Sequence, residues 1–271
     1  MAALEDELEG WNPRGIDVSR PSTARMYDYY LGGKDNFPVD RAAADLAMKA
    51  VPGARENAWE NRHFLQRAVR HLAELGVDQF LDLGAGLPTR GNVHEIAQGV
   101  NPDARVVYVD NDPIVLAHGR ALLADNESTT VITADVRDPD AVLGHPEVAR
   151  LLDFSRPIAV LFVAVLHFVR DDEEPAAIVA AYRAHMAPGS HVVISHLTTD
   201  GMQAVDVART EDAYRHATST VVFRPHARVA EFFDGFGMLD PGLVRPGLWR
   251  PDSADPRASA WLFAGVGVLE D

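Results

Sequence analysis

The chain of 271 residues contains no cysteine. That excludes a disulfide framework, a thiolate zinc site and a cysteine nucleophile. No apolar run reaches the ~18 residues that a membrane span needs. Met1 to Trp11 is acidic rather than basic and then apolar, so no secretory signal is expected, and a cytoplasmic location is. Positive charge is scarce: 25 Lys and Arg face 40 Asp and Glu, for a net charge of −15. The arginines are scattered, and runs such as Asp171-Asp172-Glu173-Glu174 are acidic. A phosphate backbone is repelled by that balance, so nucleic acid is a poor partner. Solubility is the plainer meaning of the acidity. Histidines stand at 167, 191 and 196 with acids nearby, but no helical His-x-x-x-His pair accompanies them, so no metal site is expected. Lys34 follows Gly32-Gly33, yet the P-loop spacing fails and no strand precedes it.

What is present starts with Phe80-Leu81-Asp82-Leu83-Gly84-Ala85-Gly86-Leu87-Pro88-Thr89. A short apolar run bounded by glycine reads as a buried strand. Gly84 and Gly86 supply positive φ or close approach of backbone to a ligand. A helix should follow from about residue 91 through Val93, Ile96 and Ala97. Strand, glycine turn and helix form the first unit of a nucleotide-binding α/β fold. Thr89 stands where a dinucleotide-binding turn has its third glycine, which argues against a dinucleotide. A second apolar run, Arg105 to Val109, ends at Asp110, beside Asn111, where a carboxylate can accept ribose hydroxyls. A third, Val131 to Ala134, ends at Asp135, which can accept from an adenine amine or cap the next turn.

The remaining segments give the frame. Met1 to Arg20 reads as a mobile acidic tail with Trp11 as its one anchor. Ser22 or Thr23 caps a short helix through Tyr30 that Gly32-Gly33 ends. Pro38 opens a second helix, to about Ala50. A third runs from about Arg55 to Leu75, with Phe64, Leu65, Ala68 and Leu72 on its apolar face. Strands are expected near 78–83, 105–109 and 129–134. Ile158 to Leu166 has no polar alternation, as in a central parallel strand covered on both faces. His191 to His196 is a fifth strand. Helices are expected at about 91–99, 113–124, 147–152, 171–182, 200–217 and 228–236. Strand-like pieces at 241–249 and 260–266 would pair as a hairpin. The alternation predicts a doubly wound, mostly parallel sheet.

The runs around Asp82-x-Gly84-x-Gly86, Asp110 and Asp135, in this order, resemble the S-adenosylmethionine-dependent methyltransferases. A narrower likeness spans nearly the whole chain. Pro21-Ser22-Thr23-Ala24-Arg25-Met26-Tyr27-Asp28-Tyr29-Tyr30-Leu31-Gly32-Gly33-Lys34-Asp35-Asn36, Tyr108 to Pro113 and Val165-Leu166-His167-Phe168-Val169 resemble an actinobacterial methyltransferase-like family formerly classed as a domain of unknown function. The resemblance implies the class I, Rossmann-like fold: a seven-stranded sheet with an antiparallel last strand and an N-terminal helical extension. Residues 1–76 would be tail and helical lid, and 77–271 the methyltransferase domain.

It implies S-adenosylmethionine as cofactor, held by Asp82, Gly84, Gly86, Asp110, Asn111 and Asp135, with Val136 and Ala164 beside them. The Gly84 carbonyl and the Gly86 N–H are the expected backbone contacts. Asp82 either meets the donor's amino group or only caps the turn. From the third helix, Arg62 or Arg55 would fork onto the methionine carboxylate, or would be surface residues, or pair with nearby acids, and Tyr27 of the first helix would stack on or hydrogen-bond the cofactor, or pack against the sheet. His167 is the candidate catalytic base, its alternative being a hydrogen-bonded structural histidine. The expected acceptor is a small molecule, reached by in-line methyl transfer. The alternative is a protein that binds the cofactor without transfer and serves regulation or interaction. The sequence leaves a homodimer open.

Overall fold

The computed structural model describes residues 17–50, 53–89, 91–122, 126–253 and 261–270. The anchor expected at Trp11 lies outside them. In chain order the N-terminal helices are α1 (Thr23–Tyr30), α2 (Pro38–Ala50) and α3 (Ala54–Glu74). The alternating part follows: β1 (Gln79–Leu83), α4 (Val93–Val100), β2 (Arg105–Asp110), α5 (Pro113–Leu122), β3 (Thr129–Thr133), α6 (Pro139–Leu143), α7 (Pro146–Leu151) and β4 (Ala159–Val163). The last third holds α8 (Pro175–Arg183), β5 (His191–Leu197), α9 (Ala204–Ala213), α10 (His226–Ala230), β6 (Gly237–Met238) and β7 (Leu262–Val268). None of the described helices is long and apolar enough to cross a membrane.

The seven strands form one sheet in the order β3-β2-β1-β4-β5-β7-β6. β1 to β5 are parallel, and β7 runs antiparallel to β5 from His191↔Val268 to Leu197↔Leu262. Side chains alternate along each strand, so neighbours go to opposite faces. Leu81, Leu83, Val107, Val109, Val160 and Phe162 pack into one apolar cluster, with Ile178 and Tyr182 of α8. Phe80, Val106, Ala159 and Leu161 pack into another, with Phe64, Leu65, Ala68 and Leu72 of α3. The strands are covered on both sides, which is why they read as unbroken apolar runs. The strand order reverses between β1 and β4, so their carboxyl ends flank a crevice at the topological switch point.

Several expectations need correction. The 171–182 helix is split: a 3₁₀ turn at Asp171–Glu173 precedes Glu174, whose φ of 51° breaks the path before Pro175 starts α8. The 228–236 helix is shorter, because α10 ends at Ala230 and a 3₁₀ turn takes Glu231–Phe233. The hairpin partner of β7 is Gly237–Met238 rather than 241–249, which contributes one bridge, Val244↔Ala264, and a 3₁₀ turn. Residues 17–20 are anchored rather than a free tail. The buried Arg25 guanidinium donates to Asp17 O at 3.0 Å and Arg20 O at 2.8 Å, and pairs with buried Asp40 at 3.0 Å.

Candidate functional site

The carboxyl ends of β1, β2, β3 and β4 deliver their loops to one cavity of about 460 Å³. It is lined by every one of the eleven candidate residues: Tyr27, Arg62, Asp82, Gly84, Gly86, Asp110, Asn111, Asp135, Val136, Ala164 and His167. Arg55 is not in its lining. Its Nε contacts Met48 Sδ at 3.4 Å and its guanidinium lies over the Tyr29 ring, which removes it as a carboxylate partner.

The glycine turn is shaped by β2. Val109 O accepts the N–H groups of both Gly84 (2.8 Å) and Ala85 (3.1 Å), which folds the chain over the sheet edge with Gly84 at φ 71°. A Cβ on Gly84 would stand 2.3 Å from Val165 Cγ2, so only hydrogen fits between the β1 and β4 loops. Gly86, at φ 67°, has no heavy atom within 4 Å of where a Cβ would be. Its bare Cα therefore gives a ligand room to approach the backbone. The Gly86 N–H, however, is already used. It donates to Asp110 Oδ2 at 2.8 Å, so it is no free donor to a ligand.

Two carboxylates sit close enough to repel each other at the floor. Burial pushes Asp82 up to about 7, with the Arg62 guanidinium lowering it in part and Asp110 raising it. Burial likewise pushes Asp110 up to about 6, against the lowering effect of the Asp112 and Gly86 N–H groups. Asp112 N donates to Oδ1 at 2.9 Å, and the Asn111 N–H also bonds the carboxylate, which leaves about one acceptor position for a ligand. Arg62 is buried; its Nη2 donates to Asn92 Oδ1 at 2.9 Å, and among the described residues its Nε has no partner. An unpaired buried guanidinium nitrogen beside two acids suits a ligand that carries both charges.

Asp135 is held differently. Arg137 donates to it from Nε (2.9 Å), Nη2 (2.6 Å) and its backbone N–H (2.9 Å), which holds its carboxyl below the usual range. Glu173 takes the third guanidinium nitrogen at 2.9 Å. The turn-capping geometry is therefore real, the Asn111 side chain also bonds the carboxylate, and Asp135, Asn111 and Val136 all line the cavity.

The wall beside β4 is a relay of hydrogen bonds that the sequence hid. Ala164, a non-glycine residue at φ 59°, donates its N–H to Ser195 Oγ at 2.9 Å. Ser195 donates to Asn61 Oδ1 at 2.6 Å, and Asn61 Nδ2 donates to the Tyr27 hydroxyl at 3.0 Å. Tyr27 then donates to Ala58 O at 3.0 Å. Its hydroxyl therefore has no proton left to donate to a cofactor. A serine inside the apolar β5 run was the available signal, since a buried hydroxyl needs a partner.

His167 lies in a 3₁₀ turn after β4, with its ring centroid 4.4 Å from that of Phe168 and 5.6 Å from that of His196. Burial, helped by His196 and Arg224, holds its pKa well below the ordinary value, so its ring is neutral. Its Nδ1 is buried with no partner among the described residues. His196 is fixed. Its Nδ1 donates to Leu197 O at 2.6 Å, and its Nε2 accepts from Arg224 at 2.8 Å, because a guanidinium only donates. Burial lowers it to about 3. Arg224 also donates to Leu166 O, Val169 O and Asp171, and so fastens the loop that carries His167. No local pattern marks Arg224; its partners are 28 to 58 residues away in sequence. Among the described residues no cluster of three or more His, Asp or Glu could hold a metal ion.

Residues 9–270 match the family model described as S-adenosyl methyltransferase. The fold superposes on a candidate methyltransferase of Thermobifida fusca with a TM-score of 0.90 and 47% identity, over 97% of this chain and 100% of that one. It superposes on a DUF574 family protein of Streptomyces avermitilis with a TM-score of 0.89 and 38% identity, over 93% of this chain and 99% of that one. No curated protein matches the chain. The glycine turn, the acids at the strand ends and the family match over nearly the whole length lead to one conclusion: this chain belongs to the S-adenosyl methyltransferase family, enzymes that use S-adenosylmethionine as methyl donor.

Proposed function

We propose that the chain transfers a methyl group in line to a small molecule bound in the 460 Å³ cavity. The observation that carries this is the convergence of all eleven candidate residues on that one cavity, whose size is that of a small-molecule pocket. A segment tied down on both sides closes part of it. Ser22 Oγ donates to Asp112 Oδ2 at 2.5 Å, Arg20 donates to Ala217 O at 3.2 Å, and Thr218 N donates to Pro21 O at 2.8 Å. Residues 17–25 and the N-terminal helices thus act as the lid of the site, which suits a small acceptor better than a macromolecule.

S-adenosylmethionine supplies a methyl group made electrophilic by a sulfonium. The protein's work is to hold the reactants in line and to keep water out. Asp110 accepts a ribose hydroxyl at its remaining acceptor position. Asp135 and the Val136 N–H meet the adenine edge, beside Asn111. Arg62 receives the carboxylate of the methionyl end, and Asp82 its ammonium. Gly84 and Gly86 let the ligand lie against the backbone. The strained Ala164, pinned by Ser195, forms the wall between cofactor and acceptor, and the Tyr27 ring closes the opposite side. His167, kept neutral, can take a proton only from an acceptor that has already become acidic through attack.

The test is calorimetry with S-adenosylmethionine. Asp110→Ala is expected to weaken binding at least tenfold, about 1.4 kcal/mol, with the circular dichroism of the folded protein retained. An unchanged dissociation constant in a folded variant would overturn this map of the site.

A further inference from the structure

The cavity has two chemically different halves. Most of its charged lining residues, Arg62, Asp82, Asp110, Asp135 and Arg137 among them, gather at the glycine turn and the β2 and β3 ends; Asp17 and Arg25 line it from the N-terminal segment, with the Arg25 guanidinium paired to Asp40. Part of the remaining lining comes from a third apolar cluster, which shares no buried residue with the two that cover the sheet. Tyr30, Ala47, Leu197, Tyr214, Phe223 and Trp261 belong to this cluster and line the cavity, and none carries a charge. The polar atoms on this side are mostly taken. The Tyr30 and Tyr214 hydroxyls pair with each other at 3.0 Å, and Thr210 Oγ1 donates to Asp206 O at 2.8 Å. One side chain is not taken: His167, a residue 5% exposed, lines this wall, and neither of its ring nitrogens has a partner among the described residues.

An ion among these six side chains would be stripped of water with no counter-charge beside it, the Arg25 guanidinium of α1 being already paired with Asp40. An aromatic ring would find aromatic and aliphatic walls. A single hydroxyl suits a neutral imidazole in either tautomer, because it can both donate and accept.

From this we infer that the half of the cavity roofed by α1, α2 and the 214–223 segment is the acceptor subsite. The occupant we infer is an uncharged aromatic molecule of one or two rings that places one hydroxyl on the His167 imidazole. The inference rests on the methyltransferase reading above and adds the acceptor class to it. Transfer forms one bond from the hydroxyl oxygen to the methyl carbon and breaks the carbon–sulfur bond. The electron pair of that bond stays on sulfur, and the hydroxyl proton leaves to water by way of the imidazole.

The experiment uses the full chain saturated with S-adenosylhomocysteine and four probes of one shape: 2-naphthol, naphthalene, 2-naphthoate and 2-naphthylmethylammonium. Calorimetry should find 2-naphthol bound at least tenfold more tightly than either ion. His167→Ala should remove its advantage over naphthalene. Ala47→Leu, which fills the roof, should abolish 2-naphthol binding while S-adenosylhomocysteine still binds. The inference is overturned if either ion binds as well as 2-naphthol, or if neither substitution changes 2-naphthol binding. Should the unaltered chain fail to bind S-adenosylhomocysteine, the cofactor map itself has failed and the acceptor class falls with it. An unaltered chain that binds S-adenosylhomocysteine but none of the four probes overturns the acceptor class alone.

Discussion

Binding of S-adenosylmethionine should expel protons from the floor of the site, in an amount the structure sets. Asp82 is pushed from an ordinary 3.8 to about 7 and Asp110 to about 6, both chiefly by burial. A carboxyl raised in the folded state binds more protons there than in the unfolded chain. The free protein therefore loses stability as pH rises, by something on the order of 4 kcal/mol between about pH 4 and 7 for Asp82 and on the order of 3 kcal/mol between about pH 4 and 6 for Asp110, and regains it on acidification. The ligand reverses the preference. Its ammonium beside Asp82 and a ribose hydroxyl on Asp110 favour the ionised forms. At about pH 6 the two groups together carry roughly 1.4 protons in the free protein, and at about pH 8 only about 0.1. The ligand's own amine is already charged at the lower pH and does not confuse the count. Calorimetry in buffers of different ionisation enthalpy reads proton release directly. About one to one and a half protons should leave at pH 6; at pH 8, where roughly half of the free ligand's α-amine is uncharged, release gives way to uptake of up to about half a proton, and Asp110→Asn should lower the pH 6 figure by about half a proton. Release below about 0.3 proton at pH 6, or equal release at both pH values, would refute the assignment of these acids to the ligand.

Two glycine variants should separate fold from function. Gly84→Ala drives a Cβ to 2.3 Å from Val165 Cγ2 at φ 71°, and should lower the urea-derived stability by roughly 2–4 kcal/mol. Gly86→Ala meets no atom within 4 Å, so it should cost only the ~1 kcal/mol of a left-handed alanine and yet weaken cofactor binding. A Gly86→Ala protein that binds as before would show that the cofactor does not lie against this turn. Arg224→Leu leaves Leu166 O, Val169 O and the His196 Nε2 without their donor, for a loss of roughly 3 kcal/mol in equilibrium unfolding. Wild-type stability there would mean that water replaces the guanidinium without loss.

The central strands and the site floor were legible because each strand is covered on both faces and leaves an unbroken apolar run. Glycine and aspartate at the strand ends were legible because few other residues can do what those positions require. What escaped depends on contacts far apart in sequence. The Gly86 N–H looks like a ligand donor until Asp110, 24 residues on, is seen to accept it. The break at Glu174 looked like continuous helix because acidic residues suit a helix start, and nothing local shows its φ of 51°. β6 is two residues long and has no periodicity to find. Arg224 and Asn61 join elements that are neighbours only after the sheet has formed.

The separateness of the third apolar cluster also bears on how such a protein changes. The roof draws its cohesion from helices outside the sheet and from a crossover segment, so substitutions far from the strands add nearly independently to those within them. A lineage, or a mutagenesis library, can therefore rewrite Ala47, Tyr214 or Phe223 and keep the sheet, the glycine turn and the cofactor intact. The same scaffold can in this way come to serve many different compounds, changed one contact at a time.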